Sequence, residues 1–93
     1  MQEYEVSVTV SNSRERTITF VLEPWGEIYA MGPHTNFTLL LHSPMQGVVE
    51  IDDSETSITV YAWEGCTASL FHNGKEVNVG VRPRVPKTPK YRT

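Results

Sequence analysis

Apolar and polar residues alternate along most of this 93-residue chain, and the alternation constrains its fold more than any other feature. Near the N-terminus, Val6, Val8 and Val10 alternate with Ser7 and Thr9. Successive side chains of a β-strand point to opposite faces, so a period of two is typical of a strand with one buried face. Apolar residues nowhere recur at helical spacing over three turns. The pattern therefore predicts strands and no substantial helix.

Turn-forming residues divide the alternating pattern into short segments. Pro24, Pro33 and Pro44 each remove a backbone donor, and Asn73-Gly74 is a typical two-residue hairpin turn. The predicted strands cover residues 4–10, 17–22, 28–31, 36–42, 48–52, 57–63, 68–71 and 76–81. Residues predicted to face the core are Ile18, Phe20, Leu22, Phe37, Leu39 and Leu41.

Short strands at intervals of about ten residues predict an all-β fold. We expect a small antiparallel β-sandwich of seven or eight strands, with an immunoglobulin-like or cupredoxin-like architecture. An immunoglobulin domain normally has two cysteines on either side of a tryptophan, whereas this chain has only Cys66. The strand order therefore stays open.

Three histidines could in principle join Cys66 in a copper site: His34, His42 and His72. Residues 33–41 resemble the proline-led turn and apolar strand near the first histidine of cupredoxins, which are small all-β copper proteins. In that family a histidine and then a methionine follow the cysteine within a few residues. Here His72 lies six residues after Cys66 and no methionine follows it. We therefore expect no metal and no cofactor.

The single cysteine also bears on compartment and chemistry. Cys66 cannot form a disulfide within the chain, which fits a reducing compartment. No apolar run reaches the ~20 residues of a membrane span, and the first residues lack the pattern of a signal peptide. We expect a cytoplasmic protein in which Cys66 is a small buried apolar residue and not a nucleophile.

Charge divides the chain into two parts. All eleven Asp and Glu residues lie in the first 81 residues, together with only three basic residues. The other five basic residues are Arg82, Arg84, Lys87, Lys90 and Arg92. Prolines at every third position between them favour an extended conformation. We predict a β-sandwich domain over residues 1–81 and a basic, proline-spaced tail over residues 82–93 that acts through charge and not through packing.

Four aromatic residues are candidate binding residues. Trp25 lies between a proline and a glycine, so its indole either covers an open end of the core or forms an exposed platform with Tyr29. Tyr61 and Trp63 share one face of a strand whose other face is also apolar. Either loops or the tail cover them, or they are exposed. Leu40 and Val21 also lie opposite their own core rows, which suggests that the outer surface of one sheet is partly apolar, as is common at interfaces.

Two functions fit these features. The first is a non-enzymatic protein-interaction module whose acidic or aromatic surface, or basic tail, binds another protein chain or a second copy in a homodimer. The alternative is a ligand-binding domain, for example for carbohydrate, that uses its aromatic surface for stacking. Nucleic acid is disfavoured as a partner because the acidic part repels phosphates. No membrane partner is expected, and no motif indicates an enzyme.

Overall fold

A computed structural model describes residues 3–77 and 82–85 of the chain. These residues form eight β-strands and no helix, which confirms the all-β prediction. The strands are β1 (Tyr4–Asn12), β2 (Ile18–Glu23), β3 (Glu27–Met31), β4 (Thr35–Ser43), β5 (Glu50–Asp53), β6 (Ser57–Tyr61), β7 (Thr67–His72) and β8 (Lys75–Val77). The predicted last strand over residues 76–81 lies partly outside the described residues. No described segment forms a helix long and apolar enough to cross a membrane.

The strands form two four-stranded sheets that pack together as a small β-sandwich. The first sheet has the order β1-β4-β7-β8 and the second has the order β3-β2-β6-β5. Neighbouring strands are antiparallel, as predicted, except β2 and β6, which run parallel. Parallel strands cannot be joined by a hairpin and need a crossover. Here the chain passes through β3, β4 in the first sheet and β5 before it forms β6.

The residues predicted to face the core lie between the sheets. Phe20 and Leu22 of β2 and Leu39 and Leu41 of β4 are fully buried. Phe37 of β4 contacts the Phe20 ring edge-on, with 5.2 Å between ring centroids. Each fully buried side chain of this kind stabilises the fold by roughly 1.5–3 kcal/mol. The period-two pattern therefore accounts for the packing of one sheet on the other.

The predicted hairpin at residues 73 and 74 is also present. Asn73 and Gly74 have positive φ angles of 54° and 77° and join β7 to β8. A two-residue turn with positive φ at both positions matches the twist of the strands that it connects. Asn and Gly adopt this conformation most readily.

The first residues of the predicted tail pack against the sandwich. Val85 is only 4% exposed and belongs to the hydrophobic core. Its backbone N–H donates to the Cys66 carbonyl, and its carbonyl accepts from the Gly65 N–H, both at 3.0 Å. The prediction that the tail acts through charge alone is therefore wrong for Val85, because an apolar side chain this close to the β6–β7 connection gains by burial.

Contacts between the sheets show which strands lie opposite each other. Arg82 donates to Glu27 of β3 and to the carbonyl of Ala68 of β7. Phe37 of β4 contacts Tyr29 of β3. Thus β3 lies opposite β4 and β7. β1 and β5 are edge strands of their sheets, at the ends away from β8 and β3 respectively.

Candidate functional site

The second sheet carries a solvent-facing surface that we call the outer face. Along each of its strands, the residues between the core positions point to this side. The outer face comprises Thr19, Val21, Glu23, Ile28, Ala30, Glu50, Asp52, Ser57, Thr59 and Tyr61. These strand positions include three carboxylates and no basic side chain.

One part of the outer face is apolar. Ile28 of β3 is paired with Val21 of β2, and Ile28 is 69% exposed. Val21 is half-buried, between the fully buried Phe20 and Leu22. Val21 therefore points outward, as its position in the sequence predicts. Together with Ala30, these residues give β2 and β3 a small water-exposed apolar area.

The other part of the outer face is acidic and surrounds Tyr61. In the sheet register, Tyr61 of β6 lies between Glu23 of β2 and Glu50 of β5. Asp52 of β5 pairs with Thr59, two residues from Tyr61 along β6. Side chains that face each other across strands have Cβ atoms about 4.5–5.5 Å apart. The three carboxylates therefore lie within reach of one ring.

These neighbours change the chemistry of the tyrosine. Partial burial, the charge and hydrogen bond of Asp52 and the charge of Glu23 together raise the pKa of the Tyr61 phenol. A phenol with a raised pKa stays protonated at neutral pH and can donate a hydrogen bond. The site thus combines the ring of Tyr61, its hydroxyl group, which is bonded to Asp52, and three carboxylates on one face of the sheet.

Two basic residues that follow β1 contact the β5–β6 turn of this sheet. Arg14 Nη2 lies 2.7 Å from Asp53 Oδ1, and Arg16 Nη2 donates to the Glu55 carbonyl at 2.9 Å. Both arginines follow β1 in the sequence and do not occupy strand positions of the outer face.

Trp63 is not part of an exposed aromatic surface with Tyr61. Trp63 is only 9% exposed, and its indole N–H donates to the Met45 carbonyl at 2.6 Å. Gly47 lies directly against the indole ring. Of the two predicted alternatives for Trp63, the structure therefore has the one in which a loop covers the side chain. The sequence signal for this was the glycine and proline content of residues 44–47, which allows a loop to fold closely over a ring.

Trp25 and Tyr29 contact the beginning of the tail. The Trp25 indole N–H donates to the Pro83 carbonyl at 2.8 Å, and both aromatic residues are half-buried against the core. The Tyr29 hydroxyl donates to Glu27 and lies 3.5 Å from Arg82 Nη2. Trp25 and Tyr29 therefore cover part of the core, which is the first of the two predicted alternatives. They also contact residues 82 and 83 of the same chain.

Arg82 forms a buried ion pair that sequence reasoning did not find. Its guanidinium donates to both carboxylate oxygens of Glu27, at 2.6 and 2.7 Å. Burial alone would lower the pKa of Arg82, but the hydrogen bonds and charge of Glu27, with those of Tyr29, raise it overall. Because this pair connects residues far apart in sequence, no local pattern indicates it. Arg82 is thus a structural residue at the point where the tail begins.

Arg84 is more exposed than Arg82. It donates to the Gly65 carbonyl at 2.7 Å and to Glu3 at 2.9 Å. The remaining predicted tail residues, Lys87, Lys90 and Arg92, lie outside the described residues.

Cys66 and the histidines do not form a site together. Cys66 is fully buried, and burial raises the pKa of its thiol to about 11, so it is neutral at physiological pH. His34 binds Glu15 at the surface, whereas the His72 ring packs edge-on against Phe37. In the part of the chain that the structure describes, no group of three or more His, Cys, Asp or Glu residues is placed to hold a metal ion.

Comparison with known proteins adds no functional assignment. No protein family, no curated protein and no solved structure matches this chain.

Proposed function

We propose that this protein is a non-enzymatic interaction module that binds a basic segment of another protein chain on the outer face of its second sheet. The observation that supports this most is the row Glu23, Tyr61 and Glu50, which crosses three adjacent strands next to the exposed Ile28. An apolar area beside carboxylates is complementary to lysine and arginine side chains, which have apolar stems and charged ends.

The spacing of the carboxylates favours an extended partner. Glu23 and Glu50 are two strands apart, which corresponds to about 10 Å at ~4.8 Å per strand. Three residues of an extended chain cover about the same distance. A partner with basic residues at every third position of an extended chain can therefore place a charge at each end of the row.

The binding should be weak and sensitive to salt. Each exposed charge pair contributes about 0.2–1 kcal/mol, and salt screens it over roughly 8–10 Å. Complementary charge would mainly raise the association rate and select the partner. Such behaviour fits a transient interaction.

Other parts of the molecule support this function over the alternatives. The one thiol is buried and protonated, so it is a poor nucleophile. Carbohydrate binding has less support, because Trp63 is buried and the Trp25 N–H is already bonded to Pro83. A cytoplasmic setting is part of the proposal, since a single unpaired cysteine suits a reducing compartment.

Titration of the full chain with a labelled extended peptide that has lysine at every third position tests this function. We expect NMR shift changes at Glu23, Tyr61, Glu50 and Asp52, and an affinity that falls as salt increases. The double variant Glu50→Gln/Asp52→Asn should weaken binding by about two- to thirtyfold, given the size of exposed charge pairs.

The matched control removes two charges from the other sheet. The double variant Glu5→Gln/Glu76→Gln changes the net charge equally, but its residues lie on β1 and β8. It should bind the peptide almost as well as the unmodified chain. If both double variants lose the same affinity, the peptide responds to overall charge, and the outer face is not the binding site.

A further inference from the structure

The described strands leave four sheet edges, and three of them are protected against pairing with another chain. β8 has only three residues, two of which are Lys75 and Glu76. β5 has four residues and three carboxylates. β3 begins at Glu27, which Arg82 binds, and is followed by Gly32-Pro33. Short length, charge and coverage are the usual means by which proteins prevent edge pairing.

Among the described residues, β1 has only one such protection, the contact of Arg84 with Glu3 just before the strand begins. It is nine residues long, contains neither proline nor glycine, and has Glu5 as its only charged residue. All nine residues pair in an unbroken register with β4, so no bulge distorts the strand. No described strand pairs with its other edge. A long regular edge of this kind presents a row of backbone donors and acceptors to any chain that can align with it.

The apolar side of the same edge is incompletely covered. Val10 is buried, but Val6 and Val8, in the same inward-facing row, are only half-buried, and Tyr4 is exposed. In the second sheet, Ile51 of the edge strand β5 is also 48% exposed, although it pairs with the fully buried Val60. The inward-facing row of β1 is thus only partly covered by the described residues.

We propose that β1 pairs antiparallel with β1 of a second copy of this chain, about a two-fold axis, to form a continuous eight-stranded sheet. The sequence of β1 is compatible with itself in this arrangement. In a register centred on Val8, Val6 lies opposite the partner's Val10, and Ser7 lies opposite the partner's Thr9. Glu5 then lies opposite the partner's Ser11, so like charges do not face each other.

The charge distribution also permits a second copy at this edge. Glu50 and Asp52 lie on the outer face of the second sheet, away from the plane in which β1 would pair. A two-fold interface uses the same surface on both subunits, so one self-compatible strand is sufficient to define it. The β1 edge contains no residue of the outer face, so this pairing does not depend on peptide binding there.

Sedimentation velocity of the full chain over a range of concentrations tests the pairing. We expect reversible dimers. In the variant Ser7→Lys/Thr9→Lys, two lysine pairs would face each other across the two-fold axis. The monomer would gain exposed charges on β1 and lose the exposed hydrogen bond between the Thr9 and Thr38 hydroxyls. Like charges opposite each other on adjacent strands are destabilising, so the dimer Kd should rise at least tenfold.

Charge reversal provides the matched control. Ser7→Glu/Thr9→Glu should also be monomeric, but a mixture of the lysine and glutamate variants should form heterodimers, because opposite charges then face each other. Circular dichroism checks that each variant is folded. If a variant does not fold, hydrogen exchange of backbone amides in the unmodified chain tests the pairing instead. The amides of β1 should then exchange more slowly as the protein concentration increases.

Three results would overturn the proposal. They are an unmodified chain that stays monomeric at every concentration, a lysine variant that dimerises as well as the unmodified chain, and β1 amides whose exchange is independent of concentration. A chain that dimerises only after removal of residues 86–93 also counts against it, because β1 would then be covered by its own C-terminal residues.

Discussion

Arg82 and Glu27 are joined by two parallel hydrogen bonds, although they lie on separate segments at the start of the tail and of β3. The Arg82 side chain is 4% exposed and that of Glu27 is 17% exposed, so water screens this pair only slightly. The third guanidinium nitrogen donates to Ala68 in the other sheet. One side chain therefore connects both sheets to the C-terminal segment.

Breaking this pair should be costly, because a buried charge would be left without its partner. We expect Glu27→Gln and Arg82→Met each to lower the free energy of unfolding by about 3–5 kcal/mol. The double variant Glu27→Leu/Arg82→Met should lose much less than the sum, since neither charge remains. Urea denaturation measures these values. The more exposed ion pair of Arg84 with Glu3 serves as a comparison. Glu3→Gln should lower the free energy of unfolding by less than about 1 kcal/mol. Strictly additive losses at Glu27 and Arg82 would contradict the coupling.

The close contact between Gly47 and Trp63 should not tolerate a methyl group. A Cβ atom at Gly47 would lie 2.0 Å from Trp63 Cδ1, well inside van der Waals contact. We expect Gly47→Ala to displace the indole, to lower stability by about 1–3 kcal/mol and to shift tryptophan emission to longer wavelength in a Trp25→Phe background. Gly32→Ala is the control, because its nearest neighbour would lie at 3.4 Å. Unchanged emission from Gly47→Ala would mean that the loop, and not the ring, moves.

Stability should fall in alkaline solution because of Cys66. Its thiol pKa is raised to about 11 in the folded protein from a reference of 9.0, so the unfolded chain loses this proton first as pH rises. The contribution of the thiol is therefore complete below pH 9 and is lost between about pH 9 and 11, with a slope of at most ~1.4 kcal/mol per pH unit. Denaturation at several pH values should show a shallower decline for Cys66→Ala. Equal slopes in the two proteins would exclude this origin.

Two truncations should separate packing from charge in the tail. Removal of residues 84–93 deletes the buried Val85 and its two backbone bonds, so we expect a loss of about 1.5–3 kcal/mol or more that persists at high salt. Removal of residues 86–93 deletes three basic residues and should have a smaller effect that decreases as salt rises. Thermal melts at low and high salt compare them. If both truncations respond equally to salt, Val85 contributes little to stability.

Local patterns predicted the strands well, because alternation and turn residues are properties of neighbouring positions. The predicted core rows at Phe20 and Leu39 are correct for this reason. Asn12 shows the limit of such reasoning. It lies just beyond the predicted strand over residues 4–10, yet it is fully buried at the end of β1.

The buried position of Asn12 depends on groups that are distant in sequence. Its Nδ2 donates to the carbonyls of Arg16, Met31 and Gly32, and its Oδ1 accepts from the Arg14 N–H. A polar side chain can be buried when its hydrogen bonds are satisfied, but two of these partners come from the end of β3. The parallel pairing of β2 with β6 and the Arg82–Glu27 pair are likewise set by the tertiary arrangement. The outer face was anticipated only through Val21 and Tyr61.

The parallel pairing of β2 with β6 also sets an order of events during synthesis. β1 and β4 can pair once Ser43 has left the ribosome. β2 cannot pair fully with β6 until Tyr61, the last residue of β6, has also left it. Until then the inward side chains of β2, Phe20 and Leu22, have only part of their final surroundings. Domains that depend on such non-local pairings fold in about milliseconds to seconds, slowly by comparison with helical proteins. The nascent chain therefore carries an unfinished apolar surface until β6 has been made, and Arg82 can join the two sheets only after β7 and β8 have been made.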